Sequence, residues 1–296
     1  MSAQAGRGNA ALAALVGATL IGLAPIAVRI SEVGPLATNL WRFLFALPIL
    51  ALWAALARPI PTTQQTGLLL IAGVLFGIEI SLWAAALGLT TVANATLLVN
   101  LTPVFAATLG WLLLRERLGG VVLAGGATAL AGAMALALAR AQTAGGPMAS
   151  AEAGWIGDAL ALTGALGYAS YLLILRALGK TVSVGAVMFW ATLSAAFVSL
   201  VLSLSLHETM LPRSVWGWAM LIGLGLVVHV GGQGLIAYGV ARLPIVVSTV
   251  LLWMQPLVGA VLSWVMFDEA LGPLAFVGAA LILAGIYVVQ RARSGS

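Results

Sequence analysis

The sequence predicts an all-α membrane protein: ten transmembrane helices arranged as two inverted five-helix repeats around a central cavity. Three observations predict it. Of 296 residues, 62% are hydrophobic and only 7% are charged, whereas a soluble domain carries about a quarter of its residues as charges. Ten apolar runs approach or exceed the roughly 20 residues that a helix needs to cross hydrocarbon. The second half of the chain also repeats motifs of the first at a constant offset.

The apolar runs fall at residues 10–30, 36–57, 67–88, 92–113 and 119–139, then at 154–176, 183–206, 215–239, 244–267 and 272–290. Each is about twice the length of a barrel strand, so helices are expected. Very short joins, such as Gly88–Thr91 and Arg115–Gly119, imply helical hairpins with almost no aqueous domain. The longest polar stretch, RAQTAGGPMASAEAG, is rich in small and turn-forming residues and reads as a linker. The expected organisation is therefore a first repeat at 1–139, a linker at 140–153 and a second repeat at 154–296.

Basic residues supply the orientation. With a cytoplasmic N-terminus, nine of the 13 fall on the inner side, among them Arg58, Arg115, Arg117, Arg176, Lys180 and Arg242. Four fall on or near the outer side: Arg29, Arg42, Arg140 and Arg213. Short loops obey this bias, so both termini are expected inside. The net charge of +5 does not argue for nucleic acid, because the bases are scattered singly between apolar segments. There is no cysteine, and the two histidines, His207 and His229, lie in different segments, so no metal or cofactor motif is present. A GxxxxGK[ST] loop is also missing from the sequence, which excludes ATP hydrolysis by that route.

The repeat is clearest when NLTPVFAATLGWLLLRERLG is set over WMQPLVGAVLSWVMFDEALG. Pro103 then falls on Pro256, Trp111 on Trp264, Glu116 on Glu269 and Gly119 on Gly272, all at an offset of 153. Gly125 and Gly132 continue onto Gly278 and Gly285, while Gly17 and Arg29 match Gly164 and Arg176 at an offset of 147. A unit of five spans is odd, so its second copy must enter the membrane from the opposite face. Inverted repeats of this kind let one site face each side in turn.

The segments AALGLTTVANATLLVNLTPVFAATLGWLLLRERLG and AYGVARLPIVVSTVLLWMQPLVGAVLSWVMFDEALG resemble the EamA-type modules of the drug/metabolite transporter superfamily. Within it, the chain is most similar to the aromatic amino acid exporter branch. The resemblance implies ten helices, a central substrate cavity, alternating access and a bacterial inner-membrane location. The branch resemblance points to export of amino acids with aromatic or other apolar side chains, although the family as a whole moves metabolites of many kinds. Efflux of lipophilic cations, drugs or another small metabolite is the alternative, and a non-transporting scaffold a remote one. Neither a catalytic role nor a cofactor is implied. An intramembrane enzyme is disfavoured because no nucleophile of recognisable context accompanies Glu79 and His229.

Deep polar residues nominate the site. Glu79, in GIEISLWAAAL, stands well inside the third span, where a carboxylate must face a cavity, pair with a donor or carry a coupling proton. Trp83 lies one turn later on the same face. His229 occupies the equivalent place in the eighth span, at an offset of 150, with Gln233 one turn on. Asn100 and the aromatics Tyr168, Tyr171, Trp190, Tyr238 and Trp253 are further cavity candidates. Pro103 and Pro256 are candidate hinges because a proline within a span frees a carbonyl. Glu116 and Glu269 sit at hairpin turns as capping, latching or gating residues, and Arg42 is expected to snorkel to the outer surface or, alternatively, to attract a carboxylate or another anionic group near the outer mouth. The partners so implied are lipid and a small-molecule substrate.

Overall fold

A computed structural model describes residues 2–89, 98–116, 119–143, 151–267 and 272–291. Glu269 lies outside them. The regular structure among the described residues is helical throughout. The first span is interrupted, running as α1 (Ser2–Ile21) and α2 (Ala24–Arg29). Pro25 explains the break: it lacks an N–H to continue the helical ladder and is tolerated only in the first turn of a new helix. Next come the long helices α3 (Pro35–Leu56) and α4 (Thr63–Leu89). The first half closes with α5 (Thr102–Leu114) and α6 (Gly120–Thr143). Arg115, at φ 54°, ends α5 in a left-handed turn that lets the Glu116 N–H reach the Gly110 carbonyl at 3.1 Å.

The second half opens with α7 (Ala151–Leu178) and α8 (Val184–Ser205). The span after it has three parts: α9 (Val215–Gly223), a π-helical stretch (Leu224–Gln233) and α10 (Gly234–Arg242). Then follow α11 (Ile245–Leu252), α12 (Met254–Phe267) and α13 (Pro273–Arg291). The two candidate hinge prolines each follow a helix interruption. Leu101 N–H bonds back only three residues, to Leu98, at 3.1 Å, and Trp253 N–H does the same to Val250 at 3.2 Å.

Eight helical segments among the described residues are long and apolar enough to cross a membrane, and Thr102–Leu114 and Pro273–Val289 are shorter apolar helices. Large apolar side chains such as Phe197, Trp111 and Phe276 stand more than 60% exposed on the outside of the bundle. Such a surface is stable only against lipid. The chain is an all-α, multi-span membrane protein.

Small residues set the helix contacts. On α6, Gly125 packs against Gly285 of α13, and Gly132 against Gly278. A Cβ added at Gly132 would come within 2.6 Å of the Gly278 carbonyl oxygen, and one at Gly285 within 2.5 Å of that of Gly125. These helices therefore meet backbone to backbone, and rising numbers on α6 meet falling numbers on α13: they run antiparallel. The end of α5 likewise meets the start of α11, where Gly110 packs on Ile245.

Carboxylates tie the ends of the bundle. At the end carrying residues 30–35, Glu208 accepts from the N–H groups of Leu36 and Ala37 at 3.3 and 2.8 Å, capping α3. Glu32 reciprocates, accepting from Arg213 and Ser214 N–H at 2.7 and 2.9 Å ahead of α9. At the opposite end, Glu116 joins three elements. Its Oε1 pairs with Arg176 of α7 at 2.9 Å, and its Oε2 accepts from Ile245 N–H at the start of α11, also at 2.9 Å. Arg176 in turn donates to the Ala241 carbonyl of α10 at 3.1 Å.

Candidate substrate cavity

Between these two ties lies a cavity of about 280 Å³. The α1–α2 break supplies Ile21 and Pro25, and α4 supplies Phe76, Ile80 and Trp83, so most of its wall is apolar. The polar groups arrive singly from different helices. Asn39 and Arg42 come from the first turns of α3, Glu79 from α4, and Asn100 from just before α5. Tyr168 of α7, Gln233 at the end of the π-helical stretch and Gln255 at the start of α12 complete them.

Local packing explains why these side chains face inward. Gly164 and Gly167 let α7 approach α4 at Glu79; a Cβ on Gly167 would lie 3.7 Å from that of Glu79. Gly225 of the π-helical stretch lies close to α3, against the Phe45 side chain and the Arg42 backbone. Arg42 is thereby only 5% exposed. It does not snorkel to the outer surface, and this corrects the expectation from its position near a span end. Which face of the helix meets the neighbours, and not the distance from the helix end, decides where the guanidinium points.

Of the residues nominated from sequence, Glu79, Trp83, Asn100, Tyr168, Gln233 and Pro256 line the cavity. His229 does not. It is buried behind the wall, with Nε2 2.8 Å from Thr192 Oγ1 and its ring edge-on to Phe43 at 5.0 Å. Tyr171 is also behind the wall: it stacks on Phe76 at 4.8 Å and its hydroxyl accepts from Gln233 Nε2 at 3.1 Å. Trp190 packs edge-on to Phe189 at 5.1 Å, and Trp253 is buried in the helical core. The Tyr238 ring carries the Arg242 guanidinium at 3.7 Å. Pro103 is buried at the start of α5 and, unlike Pro256, does not reach the cavity. Asn39 was not anticipated; its signal was the three-residue spacing to Arg42, which puts both on one helical face.

Three N–H-bearing atoms of the lining are buried without a hydrogen-bond partner: Arg42 Nε, Asn100 Nδ2 and Gln255 Nε2. A buried polar group left unpaired costs about 1–3 kcal/mol. Glu79 and Arg42, groups able to carry opposite charges, line the same cavity. The described residues hold no cluster suited to a metal ion.

A mostly apolar cavity carrying a few polar groups, set among the helices of a lipid-embedded bundle, is the arrangement a membrane transporter needs. The comparisons agree: an EamA-like transporter family model matches residues 8–138 and again residues 155–291, so the chain belongs to that family, within the drug/metabolite transporter superfamily. That family is one of transporters. A curated relative, the probable terminal-alkyne amino-acid exporter of Streptantibioticus cattleyicolor, is 32% identical over 203 residues. That alignment covers 68% of this chain and 65% of the relative. A crystal structure sharing 23% identity superposes with a TM-score of 0.76, covering 94% of this chain and 98% of the other, and shows the same fold.

Proposed function

We propose that this protein exports amino acids with apolar side chains across the bacterial inner membrane by alternating access. The observation that carries the reading is the cavity itself: one carboxylate and one guanidinium set in a largely apolar wall, contributed by helices of both halves. At about 280 Å³ it lies at the small end of ligand pockets, which run from about 300 to 1,000 Å³. That volume suits a single small metabolite better than a nucleotide sugar. The exporter named above supports the same class of cargo.

Alternating access is supported by the antiparallel contacts. Gly125 and Gly132 correspond in sequence to Gly278 and Gly285, and the observed pairs are Gly125 with Gly285 and Gly132 with Gly278. A two-fold axis through the interface and perpendicular to both helices produces this exchange. It favours two inverted repeats, at 1–139 and 154–296, around the shared cavity. The cavity draws on the half of the bundle nearer residues 30–35, while the Glu116–Arg176 pair ties helices together at the far end. With the termini cytoplasmic, this arrangement favours a state closed to the inside.

The aromatic wall around Glu79, formed by Phe76, Trp83 and Tyr168, also suits a lipophilic cation. Reconstitution separates the two. Purified protein in liposomes is offered labelled amino acids, phosphorylated sugars and hydrophobic cations, with and without a pH gradient. Apolar amino acids are expected to move. In Glu79→Gln, the pH dependence of that flux is expected to change while the protein still inserts. Flux of cations alone, or of phosphorylated sugars, sinks the amino-acid assignment.

A further inference from the structure

The unpaired donors of the cavity point beyond the class of cargo to the way it is held. Of the five buried side-chain atoms without a partner among the described residues, three lie on residues lining this one cavity, and all three are N–H donors. They come from three separate elements: Arg42 from α3, Asn100 from the interruption before α5, and Gln255 from the first turn of α12. Arg42 is 5% exposed and Asn100 9%. Donors left unpaired at such depth are satisfied by an acceptor that enters with the ligand.

We infer that Arg42, Asn100 and Gln255 together form the receptor for the cargo's α-carboxylate, with Glu79 on α4 taking its α-ammonium. The assignment rests on the amino-acid reading and sharpens it. A carboxylate has two oxygens and about four lone-pair sites, enough for a guanidinium and two amides. A phosphate dianion fits less well, because the site offers one cation and would press the second negative charge against Glu79. A lipophilic cation would satisfy Glu79 and leave all three donors bare. A zwitterion alone leaves neither charge of the site unanswered. Its side chain is then left to Ile80, Trp83 and Pro25. Gln233 belongs to the ammonium side: its Nε2 is engaged by Tyr171, which leaves its carbonyl oxygen as an acceptor for the cavity.

The test uses the full-length protein in liposomes with labelled leucine as the transported probe. Unlabelled leucine, its decarboxylated amine and its deaminated acid serve as competitors. Arg42→Gln, Asn100→Leu and Gln255→Leu are expected to raise the leucine KM roughly 10- to 100-fold, the range for a lost hydrogen bond to a charged group. Competition by the amine should change less than about threefold, because the amine never used those donors. Arg42→Lys should recover part of the loss. Glu79→Gln should behave as the mirror image, weakening leucine and the amine but not the acid. Equal weakening of leucine and amine in Gln255→Leu and Asn100→Leu overturns the assignment, as does an unchanged leucine KM in Arg42→Gln. If Arg42→Gln does not insert, the two amide variants decide the matter. A wild-type protein that moves cations but no amino acid overturns the export reading itself, a result distinct from leucine flux indifferent to these residues.

Discussion

At the scale of single residues, the carboxylates outside the membrane do work that the sequence alone does not advertise. Glu32 is exposed, yet it accepts from the Ser214 hydroxyl and from the backbone N–H groups of Ser214 and Arg213. Ser214 Oγ in turn accepts from Gly217 N–H at 2.9 Å, capping α9. The hydrogen bond from the Ser214 hydroxyl, then those from the two N–H groups, hold the Glu32 carboxyl below its ordinary value of 4.5. The sign follows from linkage: a carboxylate lowered in the folded state contributes fully above 4.5, and its contribution is lost as pH falls through the lowered value. The melting temperature of Glu32→Gln in detergent should therefore lie below that of wild type at neutral pH. The gap should close on acidification below 4.5, and a gap constant with pH would mean that the charge is irrelevant. None of this was legible beforehand, because the partners of Glu32 lie about 180 residues away. Glu79 was legible, because a carboxylate in hydrocarbon demands an explanation wherever it falls. Arg42 stood between the two: its place near a helix end was readable, its direction was not.

At the scale of elements, hydropathy sees length and misses backbone. The run at 10–30 is two helices, and the run at 215–239 hides a π-helical stretch, because neither interruption changes the apolar content. Proline was the readable signal for the first break. The wide turns at Leu224–Gln233 carry no comparable mark, and they help place Gln233 at the cavity while His229 stays behind Phe43. Glycine was readable as a class but not by position, since a small residue says that a neighbour comes close and not which one. The α6–α13 seam makes the difference measurable. A side chain at Gly132 or Gly278 must push apart two backbones already in contact, whereas Gly223 has nothing within 4 Å of an added Cβ. Overpacking costs about 1–3 kcal/mol, so Gly132→Val and Gly278→Val should each lose about that much stability in mixed micelles. Gly223→Ala, which adds its methyl to open space at a helical position, should lose nothing and gain up to about 1 kcal/mol. A loss at Gly223 as large as those at Gly132 and Gly278 would show that the close approach at the seam does not set the result.

At the scale of the whole molecule, the open question is whether the two halves cross the bilayer in opposite senses. The duplication was legible because proline, tryptophan and glutamate recur together at one offset, which apolar drift does not produce. The basic residues supplied a direction: Arg58, Lys180 and Arg242 gather at the end where Glu116 pairs with Arg176, and the loop carrying Glu32 lies at the other. Gly119 and Gly272 turn this into a decisive measurement. They are equivalent at the offset of 153, each directly precedes or nearly precedes the last helix of its half, and a Cβ at either meets nothing within 4 Å. The chain has no cysteine, so a single one introduced at either site is the sole thiol. If the halves are inverted with the termini inside, Gly119→Cys reacts with a membrane-impermeant maleimide only after the cytoplasmic face is opened. Gly272→Cys then reacts in intact cells. Labelling of both from one face would mean parallel halves, and with parallel halves the exchange of Gly125 and Gly132 across the α6–α13 seam would lose its explanation. Reversed accessibility would keep the inversion and overturn only the orientation, placing the Glu116–Arg176 end outside and the end nearer the cavity on the cytoplasmic side.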